Sequence, residues 1–226
     1  MRPARVFVPV LLASVVLTGC FTGKRGHLEA STVTTVATLA DPAVQAVVAK
    51  LESANADQYT AKYSVIVKYG NITTSATVAQ TDPATQSITV GHVLFLTAGG
   101  GETCELSTAA CVTGLQDQQI SDTQLPHNFY AASPALKLRQ DANTMVSAAT
   151  ASAKQIAGQN ATCVEVHFAA GNKTYCVLDN GLLAEQDTPD VRIDLTSYTT
   201  GADPTLFAAP TTPAATTTIP TTIIPG

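Results

Sequence analysis

The chain has 226 residues, 12 Lys+Arg against 17 Asp+Glu and a formal net charge of −5. That balance argues against a nucleic-acid binder, which needs a basic surface to neutralise phosphates, and offers no electrostatic hold on an anionic bilayer. Tryptophan is absent and aromatics make up 5%, which argues against stacking platforms for bases or sugars.

Arg2 and Arg5 precede an apolar run from Val6 to Leu17 that only Pro9 and Ser14 interrupt. A charged start, a short apolar stretch and small residues form an export signal over residues 1–19. The run is shorter than the roughly 20 apolar residues of a spanning helix. Leu17, Thr18, Gly19 and Cys20 then resemble the lipobox of bacterial lipoproteins. The resemblance implies lipidation at Cys20, with the thiol linked to diacylglycerol, and a protein anchored on the extracytoplasmic face of a cell membrane. Two acyl chains hold stably where one binds reversibly. The alternative is a plain secretory signal followed by a coincidental cysteine. Without Arg2 and Arg5 the mature balance is 10 against 17, a net charge of −7.

Residues 20–40 are small and polar, with the low-complexity run Ser31 to Thr38, and are expected to form a tether that reaches up to about 60 Å if extended. Asp41 and Pro42 then form a cap and first-turn proline. Val44, Val47, Val48 and Leu51 recur at helical spacing, so a helix of about three turns follows. From Tyr59 the period becomes two: Tyr59, Ala61, Tyr63, Val65, Val67 and Tyr69 alternate with Thr60, Lys62, Ser64, Ile66 and Lys68 in a long strand with one mostly apolar face. Gly70 and Asn71 turn it into a strand over Thr73 to Gln80. Asp82 and Pro83 turn that into Gln86 to Thr97, where Gly91 marks a bulge or bend. Gly99 to Gly101 is a turn; Glu102 follows where a phosphate cradle needs Lys and Ser/Thr.

Four cysteines remain beyond Cys20, an even number in an exported chain, which indicates two disulfides. Zinc is the competing use, but neither a C-x-x-C knuckle nor a paired His motif is present. Cys104 and Cys111 flank Ser107 and Thr108 symmetrically. In Ala161 to Phe168 and Thr174 to Leu178, Cys163 and Cys176 each lie opposite the apolar face, and a turn at Ala169 and Ala170 sets them against each other, with Val164 against Tyr175. Three connectivities exist; the strand faces favour 104 with 111 and 163 with 176.

Ser133 and Pro134 form a second cap before Leu136, Leu138, Met145 and Val146, whose irregular spacing predicts a helix that breaks or ends early. Ala157 to Asn160 is a turn, and Asn180–Gly181 is a type I′ hairpin turn. Leu182 to Asp187 and Val191 to Ser197 close the domain. Roughly ten short strands and two helices over residues 41–210 predict an α+β antiparallel domain.

This order of elements, with a final strand ending in Leu195, Thr196, Ser197 and Tyr198, then Asp203, Pro204, Leu206 and Phe207 before Pro210, resembles the LolA/LprG-like extracytoplasmic lipoprotein carriers. The resemblance implies a strongly curved half-barrel sheet, helices covering its concave face, and an acyl-chain or glycolipid ligand held between them. The paired cysteines depart from that family. A curved sheet with an unfilled concave face leaves a dry cavity that stabilises about 0.8 kcal/mol per buried methylene. The candidate lining is Val47, Val48, Leu51, Leu136 and Met145 from the lid. The sheet contributes Tyr63, Val65, Val67, Val78, Val90, Leu94, Val164, Val166, Phe168, Tyr175, Val177, Ile193 and Leu195. For any single one of these, ordinary core is the competing reading.

No catalytic residues, metal ligands or cofactor are assigned. There is no G-x-S-x-G elbow and no H-E-x-x-H, and the histidines at 27, 92, 127 and 167 are scattered. Asp117 and Asp141 read as solvated acids, and Glu165 with His167 as a surface pair. The alternative function is a cavity-free envelope module that docks a protein or wall partner. Residues 211–226 are Thr, Pro, Ala, Ile and Gly without charge, a disordered or extended tail.

Overall fold

Eleven strands form one open, curved antiparallel sheet in the order β6-β5-β4-β3-β2-β1-β11-β10-β9-β8-β7, the α+β class expected. The structure is a computed structural model that describes residues 41–53 and 57–211. The export signal, Cys20, the tether and all of the tail but Thr211 lie outside the described residues. Among the described residues, no helix is long and apolar enough to cross a membrane.

Helix α1 spans Pro42–Glu52, and its start follows from two residues. The Asp41 carboxylate accepts the Ala43 and Val44 N–H groups, and Pro42 occupies the first turn, where its missing N–H costs nothing. Val44, Val47, Val48 and Leu51 are all buried, so the periodic stripe faces the sheet as its spacing predicts.

The strands are β1 Tyr59–Val67, β2 Ile72–Asp82, β3 Thr85–Val90, β4 Val93–Leu96, β5 Glu102–Glu105 and β6 Ala110–Thr113. After helix α2, Ala132–Ala142, come β7 Thr150–Ile156, β8 Gln159–Phe168, β9 Gly171–Leu178, β10 Leu183–Asp187 and β11 Val191–Thr200. Two meanders thus meet where β11 pairs with β1. Tyr63, Val65 and Val67 lie opposite Leu195, Ile193 and Val191, an apolar cross-strand ladder at the centre of the sheet. Thr196 has no opposite number in β1, and the register shifts there, a bulge that bends the sheet.

Several local expectations are corrected. Gly91, with φ 58°, sits in a two-residue turn with His92, so Gln86 to Thr97 is two strands and no bulge. At Asn180–Gly181 only the glycine has positive φ, so the turn is not type I′. Ser133 does not cap α2: the helix starts at Ala132, and its N-cap Ala131 makes no side-chain bond. Pro134 is tolerated because a first-turn N–H has no helical partner. Met145 and Val146 fall beyond the helix, which ends at Ala142. Strand β7 carries almost no apolar signal, and all its residues but Ile156 are exposed.

Disulfides join Cys104 to Cys111 and Cys163 to Cys176. Both pairs lie directly opposite each other in register, and Val164 faces Tyr175.

The concave face is filled from two sides. α1 covers β8 and β9, while the connection from β6 to α2 lays Ile120, Leu125, Phe129 and Tyr130 into the same core cluster. Phe129 meets the rings of Tyr63 at 5.2 Å and Tyr130 at 5.6 Å, both edge to face, which sets the positive edge of one quadrupole against the negative face of the other. The Leu183 N–H donates to the Tyr130 carbonyl at 2.8 Å, which ties this connection to the sheet.

Candidate functional site

Because both halves of the concave face are filled, most of the predicted cavity lining is packed interior. Val47, Val48, Tyr63, Val65, Val78, Val90, Val164, Val166, Tyr175, Val177, Ile193 and Leu195 all belong to the buried core cluster. Val67 and Leu94 are buried outside that cluster. Leu94 pairs with Cys104 between the core residues Val93 and Phe95, so strand alternation turns it to the other face. Met145 and Phe168 are half-buried at the edge of the core, and Phe168 lies under the Lys173 ammonium, 4.6 Å from its ring centroid.

Among the described residues, a cleft of about 460 Å³ opens at the end of the sheet where α1 stops and α2 begins. Its volume falls within the range of small-molecule sites. Leu51, Tyr59, Tyr130, Leu136 and Leu182 are its apolar wall, and Gln80, Gln86 and Asn128 its amides. Of the predicted lining only Leu51 and Leu136 are found here. Leu136 is 60% exposed, a rim residue and no part of a closed lid.

Each wall is held from behind. The Tyr130 hydroxyl donates to Gln86 Oε1 at 2.7 Å, Gln86 Nε2 donates to Gln80 Oε1 at 2.8 Å, and Gln80 Nε2 donates to the Asp57 carbonyl at 3.0 Å. This chain orients both amides. Burial pushes the Tyr130 phenol well above its ordinary pKa, so it remains a neutral donor. Across the mouth, Arg139 of α2 donates through Nε and Nη2 to the two Glu52 carboxylate oxygens at 2.8 and 2.6 Å. That two-pronged pair leaves the rim without net charge. Lys50 donates to Thr162 Oγ1 at 2.8 Å and Asp179 Oδ1 at 2.7 Å, pinning the end of α1 over β8 and β9.

Gly181, with φ 87°, makes the floor possible. A Cβ on it would come within 2.6 Å of the Lys50 carbonyl and 3.0 Å of that of Ser53. The 179–182 turn therefore fits under the end of α1 only with glycine there.

The far end of the helices is closed by two carboxylates. Asp41 accepts the Ala149 N–H at 2.9 Å in addition to its cap bonds. Burial raises the Asp41 pKa, but the Ala149, Val44 and Ala43 donors outweigh it and hold the carboxyl below its ordinary value. Asp141, expected to be solvated, is instead buried at the end of α2. It accepts from the Tyr175 hydroxyl at 2.6 Å and from Lys173 at 2.5 Å, which satisfies a charge that would otherwise be costly inside.

His127 and Asp117, each singled out alone in the sequence, pair at 2.8 Å in the connection that fills the sheet. His167 and Glu165, read as a pair, stand 3.5 Å apart between Nδ1 and Oε1, and His167 Nε2 lies 2.9 Å from Thr150 Oγ1. Glu102, Cys104 and Cys111 stand close enough together to bind a metal, but the two sulfurs are joined to each other. Tyr59 and Tyr130, the aromatic residues of the cleft, escaped the predicted lining. Tyr130 lies in a stretch with no periodicity, and Tyr59 sits at a strand end where alternation does not distinguish floor from core.

No family model matches the chain, and no curated protein matches it either. It is similar to solved structures at low identity. MucB in complex with MucA(peri) is 15% identical, covering 73% of this chain and 58% of that one, with a TM-score of 0.43. The MucA/MucB complex of Pseudomonas aeruginosa is 13% identical over 73% and 60%, with a TM-score of 0.44. LprF from Mycobacterium bovis is 15% identical over 70% and 93%, with a TM-score of 0.35. The chain thus spans less than two thirds of the MucB chains it matches.

Proposed function

We propose that this chain is an exported lipoprotein, anchored through Cys20, whose domain over residues 41–210 binds one small amphiphile in the cleft between the ends of α1 and α2. In this reading residues 1–19 are the export signal, 20–40 the tether and 211–226 an extended tail. The protein works as a carrier or binding protein on the extracytoplasmic face and not as an enzyme. The observation that carries the proposal is the cleft itself: an apolar wall of Leu51, Tyr59, Tyr130, Leu136 and Leu182 left open while the rest of the concave face is packed. Two disulfides in a domain of this size fit an oxidising compartment. A membrane anchor would hold the cleft at high effective concentration of lipid.

The volume narrows the ligand. A cleft of about 460 Å³ suits one acyl chain or a comparably small amphiphile, whereas a multiply acylated glycolipid would have to displace the packed core. The test is native mass spectrometry of the full chain expressed with its signal intact and extracted in mild detergent. A co-purifying species of a few hundred daltons, lost on organic extraction, is the expected result; a ligand-free protein that also fails to take up added monoacyl amphiphile would overturn the reading. For the anchor, Cys20→Ala should move the protein from the membrane to the soluble fraction.

A second reading has its own observation. Strand β7 is one of the two edge strands of the sheet, and its seven residues are exposed except for Ile156. That edge suits addition of an extended partner segment. Protection of the 150–156 amides from exchange only in the presence of envelope extract would favour this docking module over the carrier.

A further inference from the structure

Two buried hydroxyls in the described part of the chain, those of Tyr59 and Tyr63, have no hydrogen-bond partner. They differ in place. Both belong to the buried core cluster, Tyr63 against the Phe129 ring, but Tyr59, although 0% exposed, is also one of the residues that line the cleft. A buried, unpaired donor costs free energy in the empty protein, and any acceptor brought to it recovers that cost.

We propose that Tyr59 is the specificity-determining donor of the cleft, and that it selects an amphiphile carrying an uncharged oxygen acceptor, an ester or amide carbonyl, over a bare hydrocarbon. The inference rests on the carrier reading and deepens it. Its neighbours explain the charge of the acceptor. The Tyr130 hydroxyl is already committed to Gln86. Arg139, the cation at the mouth, is neutralised by both oxygens of Glu52, and Lys50 is held by Asp179 and Thr162. A carboxylate carried down to Tyr59 would therefore be buried without a counter-charge, which is strongly unfavourable. A carbonyl loses little on leaving water if it meets a donor. Burial, followed by the neighbouring Tyr130 and Tyr63 hydroxyls, drives the Tyr59 phenol far above its ordinary pKa, so it offers a proton throughout the physiological range. The ring of Tyr59 stacks on that of Tyr198 with centroids 6.2 Å apart, and Tyr198 accepts from Asn180 at 2.9 Å. The donor is thereby held in place before ligand arrives, so little ordering is required on binding.

The experiment displaces the neutral fluorescent reporter N-phenyl-1-naphthylamine from the full chain with methyl decanoate and with the chain-matched alkane. It is repeated on Tyr59→Phe and Tyr63→Phe, with circular dichroism confirming that each is folded. The expected result is an ester preference of about ten-fold in wild type, the value of one good hydrogen bond. It should fall to within about two-fold in Tyr59→Phe with alkane affinity unchanged, and persist in Tyr63→Phe. Equal affinity for ester and alkane in wild type, or an ester preference that survives Tyr59→Phe, overturns the inference while leaving the carrier reading intact. If reporter, ester and alkane all fail to bind the folded wild type, the carrier reading itself is overturned and this inference with it.

Discussion

Helices α1 and α2 are both eleven residues long, yet one seals its part of the sheet and the other leaves an opening. α1 has a side-chain cap and four apolar residues in one stripe, all buried. α2 has no side-chain cap, and its buried residues are Pro134, Ala135, Leu138 and the charged Asp141. The difference teaches how this fold acquires a cleft. A full stripe of branched side chains fills the space beneath it. A helix that offers a proline, an alanine and a single leucine covers less, and needs Tyr175 and Lys173 to accommodate its acid.

The contrast within α2 provides the sharpest test. Leu138 is fully buried and Leu136 is 60% exposed. Leu138→Ala should cost between about 2 and 5 kcal/mol in urea unfolding. Next in size is Gly181→Ala, which combines strain at φ 87° with a clash against the end of α1. A loss of about 2–3 kcal/mol, with increased amide exchange in the last turn of α1, is the expected signature; an unchanged midpoint would mean that the turn does not lie under the helix.

Asp41→Ala removes the cap of α1 and the Ala149 bond together, and about 1–2 kcal/mol should go with it at neutral pH. The pH dependence has a definite sign. A carboxyl whose folded pKa is depressed stabilises fully above its unfolded value of about 3.9 and loses that contribution as pH falls through the folded value. The gap between wild type and Asp41→Ala should therefore be full above about pH 5 and close in stronger acid; a gap independent of pH would assign the loss to packing alone. Because α2 lacks such a cap, Ser133→Ala should lack this signature.

Smaller still is the clasp between the helices. Glu52→Gln should change stability by less than about 1 kcal/mol, since the pair is solvent-exposed, and the change should fade in high salt. Leu136→Ala should leave stability within about 0.5 kcal/mol of wild type while weakening reporter binding in the cleft. Of all these substitutions it is the one expected to separate binding from folding.

Much of the fold was legible because its signals are local. The Asp41–Pro42 start of α1, the period-two run from Tyr59, and the matching faces of Cys163 and Cys176 each depend on neighbours a few residues away. The exposure of Leu136 at the rim, the buried Asp141 and the place of Tyr59 in the cleft wall were not legible. Each depends on what packs against it from a distant part of the chain. The connection carrying Ile120, Leu125, Phe129 and Tyr130 has no period to betray it, and it converts an expected cavity into core. Strand β7 was silent for the opposite reason: an edge strand with both faces exposed has no buried side to impose alternation.

By itself, then, the chain determined most of the elements, their antiparallel class, the disulfide faces and the acidic, charge-poor composition. Side-chain periodicity, turn residues and charge count act over short range or over the whole composition. Only the tertiary structure decided how much of the concave face is filled, where the cleft lies and which buried hydroxyl beside it is left unpaired. Those depend on the volume that two distant segments contribute to one space, and no local pattern encodes a sum of volumes.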